Sequence, residues 1–260
     1  TIGFKGCMEE RDTYNIDDYD DVDLSKALDL DIDLVPTPGD ARTQWRPMLH
    51  EFSFIPQIWW NGSGKFQSPV DTRDGYINAG WAGLSACPAP ARKLQAMDEL
   101  ELDTYLASLV AQGSTYHDIG MIWGGRLLSP TGLFSGENAD VDGTPTSRHM
   151  IFLTDGETAP LDVSYGAYGI EPLDKRRWDP ATDKPGFRLT DVVEKRFGVA
   201  CSEVRKRNIT VWVIGFGTKL NPVMTRCAGP GHSFEASDAA QLGEVFGKIA
   251  TQLGDLRISG

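Results

Sequence analysis

Several features that would assign a chain to a common functional class are missing from this sequence. No apolar run approaches the roughly 18 residues that a membrane-spanning helix needs. There is no Cys-x-x-Cys pair of the kind found in structural zinc sites, and no Gly-x-Ser-x-Gly or His-Glu-x-x-His motif to employ the four histidines. Basic residues are scarce, since 25 Lys and Arg stand against 37 Asp and Glu, for a net charge of −12. Nucleic acid is therefore a poor partner, because phosphate binding needs clustered basic side chains.

The acidic residues are concentrated at one end of a chain whose composition is otherwise that of a globular domain. Hydrophobic residues make up 40% and aromatic residues 10% of the 260 positions, so a sizeable core can form. Residues 1–40 contain 12 acidic and 3 basic side chains, whereas residues 41–260 contain 25 and 22. The negative charge therefore belongs mainly to the amino-terminal part.

Residues 1–97 have little periodicity and are rich in Asp, Pro, Gly and Trp. This composition predicts an acidic, loop-rich insertion with short strands. Residues 28–34 are the exception, because Leu or Ile alternates there with Asp29, Asp31 and Asp33. Strict alternation predicts a half-buried edge strand with its three carboxylates on the solvated face, and a cation bound by these carboxylates is the alternative.

Residues 98–260 alternate instead between helical and strand patterns. The predicted elements are, in order, a helix along a leucine stripe from Leu102 to Val110 that stops at Gly113, a helix at about 116–127, a strand at 150–154, a helix N-capped by Thr190, a strand at 210–216 and a helix N-capped by Ser237. Residues 157–187 carry Pro, Gly, Tyr and charge, and are expected to form a surface insertion. This order predicts an α/β domain with a mainly parallel sheet covered by helices on both faces.

The four cysteines are widely spaced, which favours two disulfides in an oxidising compartment. Cys201 lies on the helix before the second strand and Cys227 lies just beyond that strand, so a Cys201–Cys227 bond closes a local loop. Cys7–Cys87 is then the second pair, within the acidic part. Buried free thiols are the alternative.

Oxygen donors suited to a divalent cation occur in two loops of the predicted sheet. Asp155 follows the strand at 150–154, and Ser114 and Thr115 open the next predicted helix. Since ligands collect at the carboxyl ends of parallel strands, a hydroxyl and a carboxylate there are suitable for Mg²⁺. The alternative reading makes Asp155 a turn residue and Thr115 an N-cap. His117 either borders this site or is a surface histidine.

A second, weaker cation motif lies further along the chain. Asn138, Asp140 and Asp142 imitate the start of an EF-hand loop, but position twelve is His149 rather than Glu. A hydrated turn is the favoured interpretation, with a loose Ca²⁺ site as the alternative.

Several stretches, taken together and in order, resemble a known family. They are GCMEER at 6–11, GST at 113–115, GMIWGGRLLSP at 120–130, IFLTDG at 151–156, VIGF at 213–216, the pair Cys227-Ala228, and the closing segment 246–258. The chain resembles the TadG-like proteins of bacterial tight-adherence (Flp) pilus assembly, whose domain has the von Willebrand factor A fold. The resemblance covers residues 113–156 and 189–259 well and residues 1–95 only in patches. It implies a three-layer, Rossmann-like α/β domain.

The resemblance also implies a metal-ion-dependent adhesion site. The family's second loop supplies a Thr, which falls here on Thr115, and its third loop an Asp, which falls on Asp155; Gly156 follows that Asp. The first loop, Asp-x-Ser-x-Ser, is not found, and the nearest segment, residues 23–27, lacks the second Ser and follows no apolar strand. We therefore expect the first strands of the domain to be missing from this sequence and the cation site to be half present. We also expect that missing segment, or another chain, to pair with the strand at 150–154.

These observations lead to one expected function and two alternatives. The resemblance implies a non-enzymatic cell-envelope interaction module that binds a protein partner, on the periplasmic or cell-surface side, behind an upstream membrane anchor. Its cofactor would be Mg²⁺, Mn²⁺ or Ca²⁺ if the missing loop is supplied. The alternatives are a metal-assisted hydrolase using Asp155 with His117, and a structural scaffold without metal.

Overall fold

A computed structural model describes residue 4 and residues 6–48, 54–56, 76–78, 87–111, 114–162 and 165–255. Gly113, at which the first predicted helix was expected to stop, lies outside these residues. Counted over the described residues, the elements are β1 (Met8–Glu9), a 3₁₀ turn (Ala41–Thr43), β2 (Arg46–Pro47), β3 (Phe54–Pro56), β4 (Tyr76–Asn78), α1 (Glu99–Ala107), α2 (His117–Leu128), α3 (Ser135–Asn138), β5 (Arg148–Thr154), β6 (Tyr165–Gly166), β7 (Gly169–Ile170), α4 (Glu171–Asp174), α5 (Leu189–Lys206), β8 (Ile209–Phe216), α6 (Pro222–Ala228), β9 (Ser233–Ala236) and α7 (Ala239–Asp255).

Over the residues that the structure describes, the central sheet consists of three parallel strands in the order β5-β8-β9. The register of the first pair runs from Arg148 opposite Ile209 to Thr154 opposite Gly215. Strand β8 lies in the middle and is apolar almost throughout, as a strand buried on both faces must be. The predicted mixed α/β architecture with a parallel sheet is confirmed.

Helices cover the two faces of β8, which is the arrangement that the element order predicts. On one face Val211 and Val213 share a core with buried residues of α2 and α5, namely Met121, Ile122, Phe197, Ala200 and Val204. On the other face Trp212 and Ile214 pack beneath Val245 and Ile249 of α7. The alternation along β8 thus sends successive side chains into two separate apolar layers.

The amino-terminal acidic part contributes to the same core as the sheet. Ile16, Ala27, Leu30 and Ile32 are buried in the cluster that contains the α2, α5 and β8 side chains. The edge strand expected at residues 28–34 is wrong, because this segment forms consecutive turns. Leu30 and Ile32 of this segment are buried, but so is one of its carboxylates.

That carboxylate, Asp29, is fully buried and is ion-paired with Arg196 of α5. It also accepts a hydrogen bond from the hydroxyl of Tyr168, at 2.5 Å. Burial acts to raise the pKa of Asp29, but the charge of Arg196 and the Tyr168 hydroxyl hold that pKa below its usual value. A charged partner on a distant helix therefore replaces the solvated face that alternation predicted.

Asp29 belongs to a larger buried set of charges between the acidic part, α2, α4 and α5. Arg126 of α2 donates to both oxygens of Glu10, at 2.8 and 2.9 Å, and Arg177 pairs with Glu171 and Asp118. All of these side chains are nearly or completely buried. Pairing of each Arg with a carboxylate makes their removal from water tolerable.

The stretch at 157–187 was expected on the surface, and for its middle part this is wrong. Tyr168, Ile170, Arg177 and Trp178 are buried, although the ends of the stretch are more exposed. The ion pairs of Arg177 and the hydrogen bond of Tyr168 fix this part inside the domain.

The first predicted helix is shorter than its leucine stripe. Helix α1 begins after Asp98, whose carboxylate accepts from the Glu101 amide at 2.8 Å, and it ends at Ala107, well before position 113. Its stripe lies in solvent, since no residue of α1 is buried. The proposed N-caps of the later helices also differ: α5 begins at Leu189, and Asp238 rather than Ser237 accepts from the first turn of α7.

Both disulfides that the cysteine spacing favoured are present. Cys201 of α5 is bonded to Cys227 of α6, and Cys7 is bonded to Cys87. Among the described helices none is long and apolar enough to cross a bilayer.

Candidate functional site

Two loops meet at the carboxyl end of β5. Thr115, just before α2, and Ala159, in the loop after β5, exchange backbone hydrogen bonds of 3.1 and 3.2 Å. Because β5 ends at Thr154, Asp155 begins the loop to which Thr115 is attached. The structure therefore places Thr115 and Asp155, the two predicted cation ligands, in adjoining loops at one edge of the sheet.

The oxygen atoms of these two residues are available to a ligand. Asp155 and Ser114 are exposed and Thr115 is half-buried. Within the described residues no hydrogen bond or ion pair occupies the Asp155 carboxylate or the Thr115 hydroxyl. Hydroxyl and carboxylate oxygens are hard donors, of the type that Mg²⁺ and Ca²⁺ prefer.

The turn that follows β5 is shaped by Thr154. Its hydroxyl donates to the Gly156 carbonyl at 3.0 Å and accepts from the Gly156 amide at 3.3 Å. These bonds fold the chain back directly after the strand and leave Asp155 outside the turn, towards solvent.

His117 lies behind this turn, in the first residue of α2. Its Nε2 is 2.9 Å from the hydroxyl of Thr154, and its Nδ1 is 2.9 Å from the hydroxyl of Thr158. The ring packs edge-on against Phe152 and Phe197. The interpretation of His117 as a surface histidine is wrong, since it is buried, and burial lowers its pKa.

His117 thus borders the candidate site as a support. Its hydrogen bonds attach Thr154, before Asp155, and Thr158, after it, to the start of α2. Neither threonine was predicted from the sequence to take part in the site. The only signal for them was a pair of hydroxyl residues four apart around the Asp-Gly turn.

The set of cation ligands is incomplete. Mg²⁺ requires about six oxygens, and Thr115 and Asp155 are two side-chain donors. In the described ranges no three His, Cys, Asp or Glu side chains come together as metal ligands. Residues 23–27, whose sequence comes nearest to the Asp-x-Ser-x-Ser pattern, form a local turn. In this turn Asp23 accepts from the Ser25 amide at 3.0 Å and pairs with Lys26 at 3.2 Å.

The weaker cation motif is engaged in other contacts. Asn138 is buried and donates to the Leu127 carbonyl at 2.6 Å. Asp140 pairs with Arg148 at 2.8 Å and accepts from the Thr146 amide. Asp142 is exposed, with a left-handed φ of 51°. Since Asn138 is buried and Asp140 is already paired with Arg148, the three side chains do not form an open set of oxygen donors, and the structure gives no support to a Ca²⁺ site there.

Comparison with known proteins adds no relative to this description. A scan against protein-family models and searches of curated proteins and of solved structures found no match.

Proposed function

We propose that this chain is a non-enzymatic interaction module of the bacterial cell envelope, of the von Willebrand factor A type found in TadG-like pilus assembly proteins. It acts on the periplasmic or cell-surface side and binds a protein partner. The observation that carries the proposal is the meeting of the Thr115 and Asp155 loops at the carboxyl end of β5, with both side chains free to accept a ligand.

In this proposal a divalent cation joins the module to its partner. Thr115 and Asp155 would hold Mg²⁺, or Mn²⁺ or Ca²⁺ in its place. The bound cation would act as the Lewis acid that an acidic group of the partner binds. The remaining ligands come from outside the described residues. His117, Thr154 and Thr158 fix the loop that carries Asp155, which lowers the entropy lost when a ligand binds.

Two observations favour this function over the metal-assisted hydrolase. A general base needs a ring nitrogen that can reach a water or substrate, but both nitrogens of His117 are taken by threonine hydroxyls within 2.9 Å. His117 is also buried behind the turn, while Asp155 is exposed in front of it. A scaffold without metal is the remaining alternative, and the cation experiment separates it from the proposal.

The cation site is tested with Mn²⁺ alone, read by the loss of its free-ion paramagnetic resonance signal. The complete protein and its Asp155→Ala and Glu157→Ala variants are titrated in parallel, because the remaining ligands come from outside the described residues. Glu157 is a matched control, because it is an exposed carboxylate two residues along the same loop. We expect Asp155→Ala to weaken Mn²⁺ binding by about tenfold or more and Glu157→Ala to leave it nearly unchanged. Equal binding by all three proteins, or no binding by the complete wild-type protein, would leave the scaffold as the better description.

A further inference from the structure

A second histidine lies at the opposite end of β5 from the candidate cation site. His149 is near the start of that strand, and each of its ring nitrogens makes a polar contact. Nδ1 is 3.2 Å from Nε1 of Trp212, in the middle strand β8, and Nε2 is 2.7 Å from the hydroxyl of Ser147. Trp212 is 2% exposed, whereas His149 is half-buried and Ser147 is exposed. His149 thus joins a buried indole to the surface of the protein.

The partners of His149 determine which of its nitrogens carries the hydrogen. An indole N–H can only donate, so Nδ1 of His149 accepts from Trp212 and holds no hydrogen. In the neutral ring the hydrogen is then on Nε2, which donates to the Ser147 hydroxyl. A protonated ring has N–H groups at both positions. Its Nδ1–H would meet the N–H of Trp212, donor against donor, so a charged His149 is incompatible with this contact.

A further histidine places a second titratable group beside the indole. His232, just before β9, packs edge-on against Trp212 with 4.3 Å between the ring centroids. Its Nδ1 is 3.3 Å from the Ala228 carbonyl, to which it can donate in the neutral and in the charged ring. Protonation of His232 is therefore compatible with its own contacts, but it adds a positive charge near His149. Both rings are half-buried, so protons can reach them from solvent.

In the described ranges no acidic side chain compensates a charge on His149. Arg148, its neighbour in β5, pairs with the carboxylate of Asp140 at 2.8 Å, and β8 has no titratable side chain. In α7, which covers this face of the sheet, Glu244 and Lys248 are exposed. A protonated His149 would therefore face the charge of a second histidine and no carboxylate.

We propose that His149, Trp212 and His232 form an acid-sensitive latch, which is closed while His149 is neutral and opens when His149 is protonated. In the closed state the Trp212 N–H is bonded to Nδ1 of His149. In the open state the charged ring of His149 turns to solvent, and water replaces it as the acceptor from Trp212. The latch lies at the amino end of the sheet, so this inference does not depend on the cation site at the other end.

The direction of the switch follows from the environment of His149. Burial lowers the pKa of His149, and the charge of His232 acts in the same direction. Folding therefore favours the neutral ring. The latch is closed above the ordinary pKa of about 6.5 and opens as the pH falls through the lowered value. Acidification, and not a rise in pH, is the signal to which it responds.

Nuclear magnetic resonance of the complete protein, with isotopically labelled histidine and tryptophan nitrogens, tests the latch directly. A hydrogen bond from N–H to N carries a scalar coupling between its two nitrogens, and Trp212→Phe identifies the indole resonance. We expect a coupling between Trp212 and His149 at about pH 8, with the hydrogen of His149 on Nε2, and its loss when acid protonates that ring. No coupling at about pH 8, or a coupling that persists in the protonated ring, would overturn the proposal.

Two substitutions in the complete protein separate the latch from simple packing. His149→Gln keeps a side-chain carbonyl that can accept from Trp212 but cannot titrate, so we expect the pH-dependent shift of the Trp212 indole resonance to be lost. His232→Gln removes the second charge and should move the midpoint of that shift to higher pH. A shift that survives in His149→Gln, or an unchanged midpoint in His232→Gln, would contradict the assignment of the three residues to one latch.

Discussion

At the scale of single residues, burial of titratable side chains makes stability depend on pH. His117 is held between two threonine hydroxyls and two aromatic rings, with no acidic side chain among these contacts. Its pKa is lowered by burial, so the folded protein resists protonation that the unfolded chain accepts.

This gives a pH prediction of defined sign. The neutral form of His117 is favoured by folding, so its contribution is present above the unfolded pKa of about 6.5 and is lost as the pH falls from that value towards the lowered folded pKa. We expect the free energy of unfolding to fall between pH 7.5 and 5.5, by at most about 1.4 kcal/mol per pH unit for one proton.

Urea denaturation at several pH values measures this dependence. His117→Gln should reduce the slope, while the part due to His149, whose pKa burial also lowers, should remain. An unchanged slope in His117→Gln would contradict the assignment.

The buried charges give a second prediction at this scale. Asp29→Ala leaves Arg196 inside the protein with only the more distant carboxylate of Asp118, at 3.9 Å, and removing one partner of a buried pair costs about 3–5 kcal/mol. Asp17→Ala is the control, because Asp17 is exposed and a surface change of this kind costs about 0.5 kcal/mol or less. Chemical denaturation of both variants makes the comparison, and similar losses would show that the Asp29–Arg196 pair contributes little.

At the scale of elements, local sequence predicted what local forces determine. The end of α2 before Ser129-Pro130 and the apolar strand β8 follow from proline geometry and from burial on both faces. The inward position of Asp29 and that of Tyr168 do not, because Asp29 is paired with Arg196 and Tyr168 donates to Asp29, and these partners are distant in the sequence. Spacing within a segment carries no information about such a partner.

The crossing of α2 and α5 depends on a glycine. A Cβ at Gly125 would lie 2.7 Å from Val204 Cγ2 and 3.2 Å from Ile32 Cδ1, so the two helices and the acidic part meet there without room for a methyl group. Gly125→Ala should therefore destabilise the fold by about 1–3 kcal/mol, although alanine favours the helix.

Gly247→Ala in α7 is the matched control. A Cβ there meets nothing within 4 Å, so helix propensity alone should stabilise the protein by about 0.5–1 kcal/mol. Thermal or urea unfolding of the two variants should give changes of opposite sign. Stabilisation by both substitutions would mean that the α2–α5 contact relaxes at no cost.

At the scale of the whole molecule, the sequence predicted the layered α/β plan but not how the acidic part joins it. The parallel pairing of β5 with β8 and the helices on both faces follow from the order of the predicted elements, whereas the third strand, β9, was not predicted. The packing of Ile16 and Leu30 against α2 and α5 does not, because most of residues 1–97 lack periodicity and the alternation at 28–34 indicated an edge strand instead. In the candidate site, Thr115 and Asp155 were predicted and Thr154 and Thr158 were not, since their role depends on the buried position of His117.

The two disulfides should stabilise the molecule to different extents. Cys201–Cys227 closes a separation of 26 residues and Cys7–Cys87 one of 80, for which chain entropy gives about 3.5 and about 4.5 kcal/mol. We expect Cys7→Ala/Cys87→Ala to lose more stability than Cys201→Ala/Cys227→Ala, as measured by urea denaturation. The intact mass of the wild-type protein, measured with and without reductant, checks that both disulfides have formed. Reduction should add four hydrogens, and no increase in mass would contradict the two bonds.

The parallel register of β5 and β8 has a mechanical consequence. A partner bound at Asp155, as proposed, would apply its load at the carboxyl end of β5. A pull along the strand would then load in shear all the paired positions, or rungs, between β5 and β8, from Arg148–Ile209 to Thr154–Gly215. The bonds between Thr115 and Ala159 tie the same loop to α2, so part of the tension passes into that helix. Rungs loaded together must rupture together, whereas a strand pulled sideways unzips one rung at a time. The direction of pull would then decide how much force this attachment withstands.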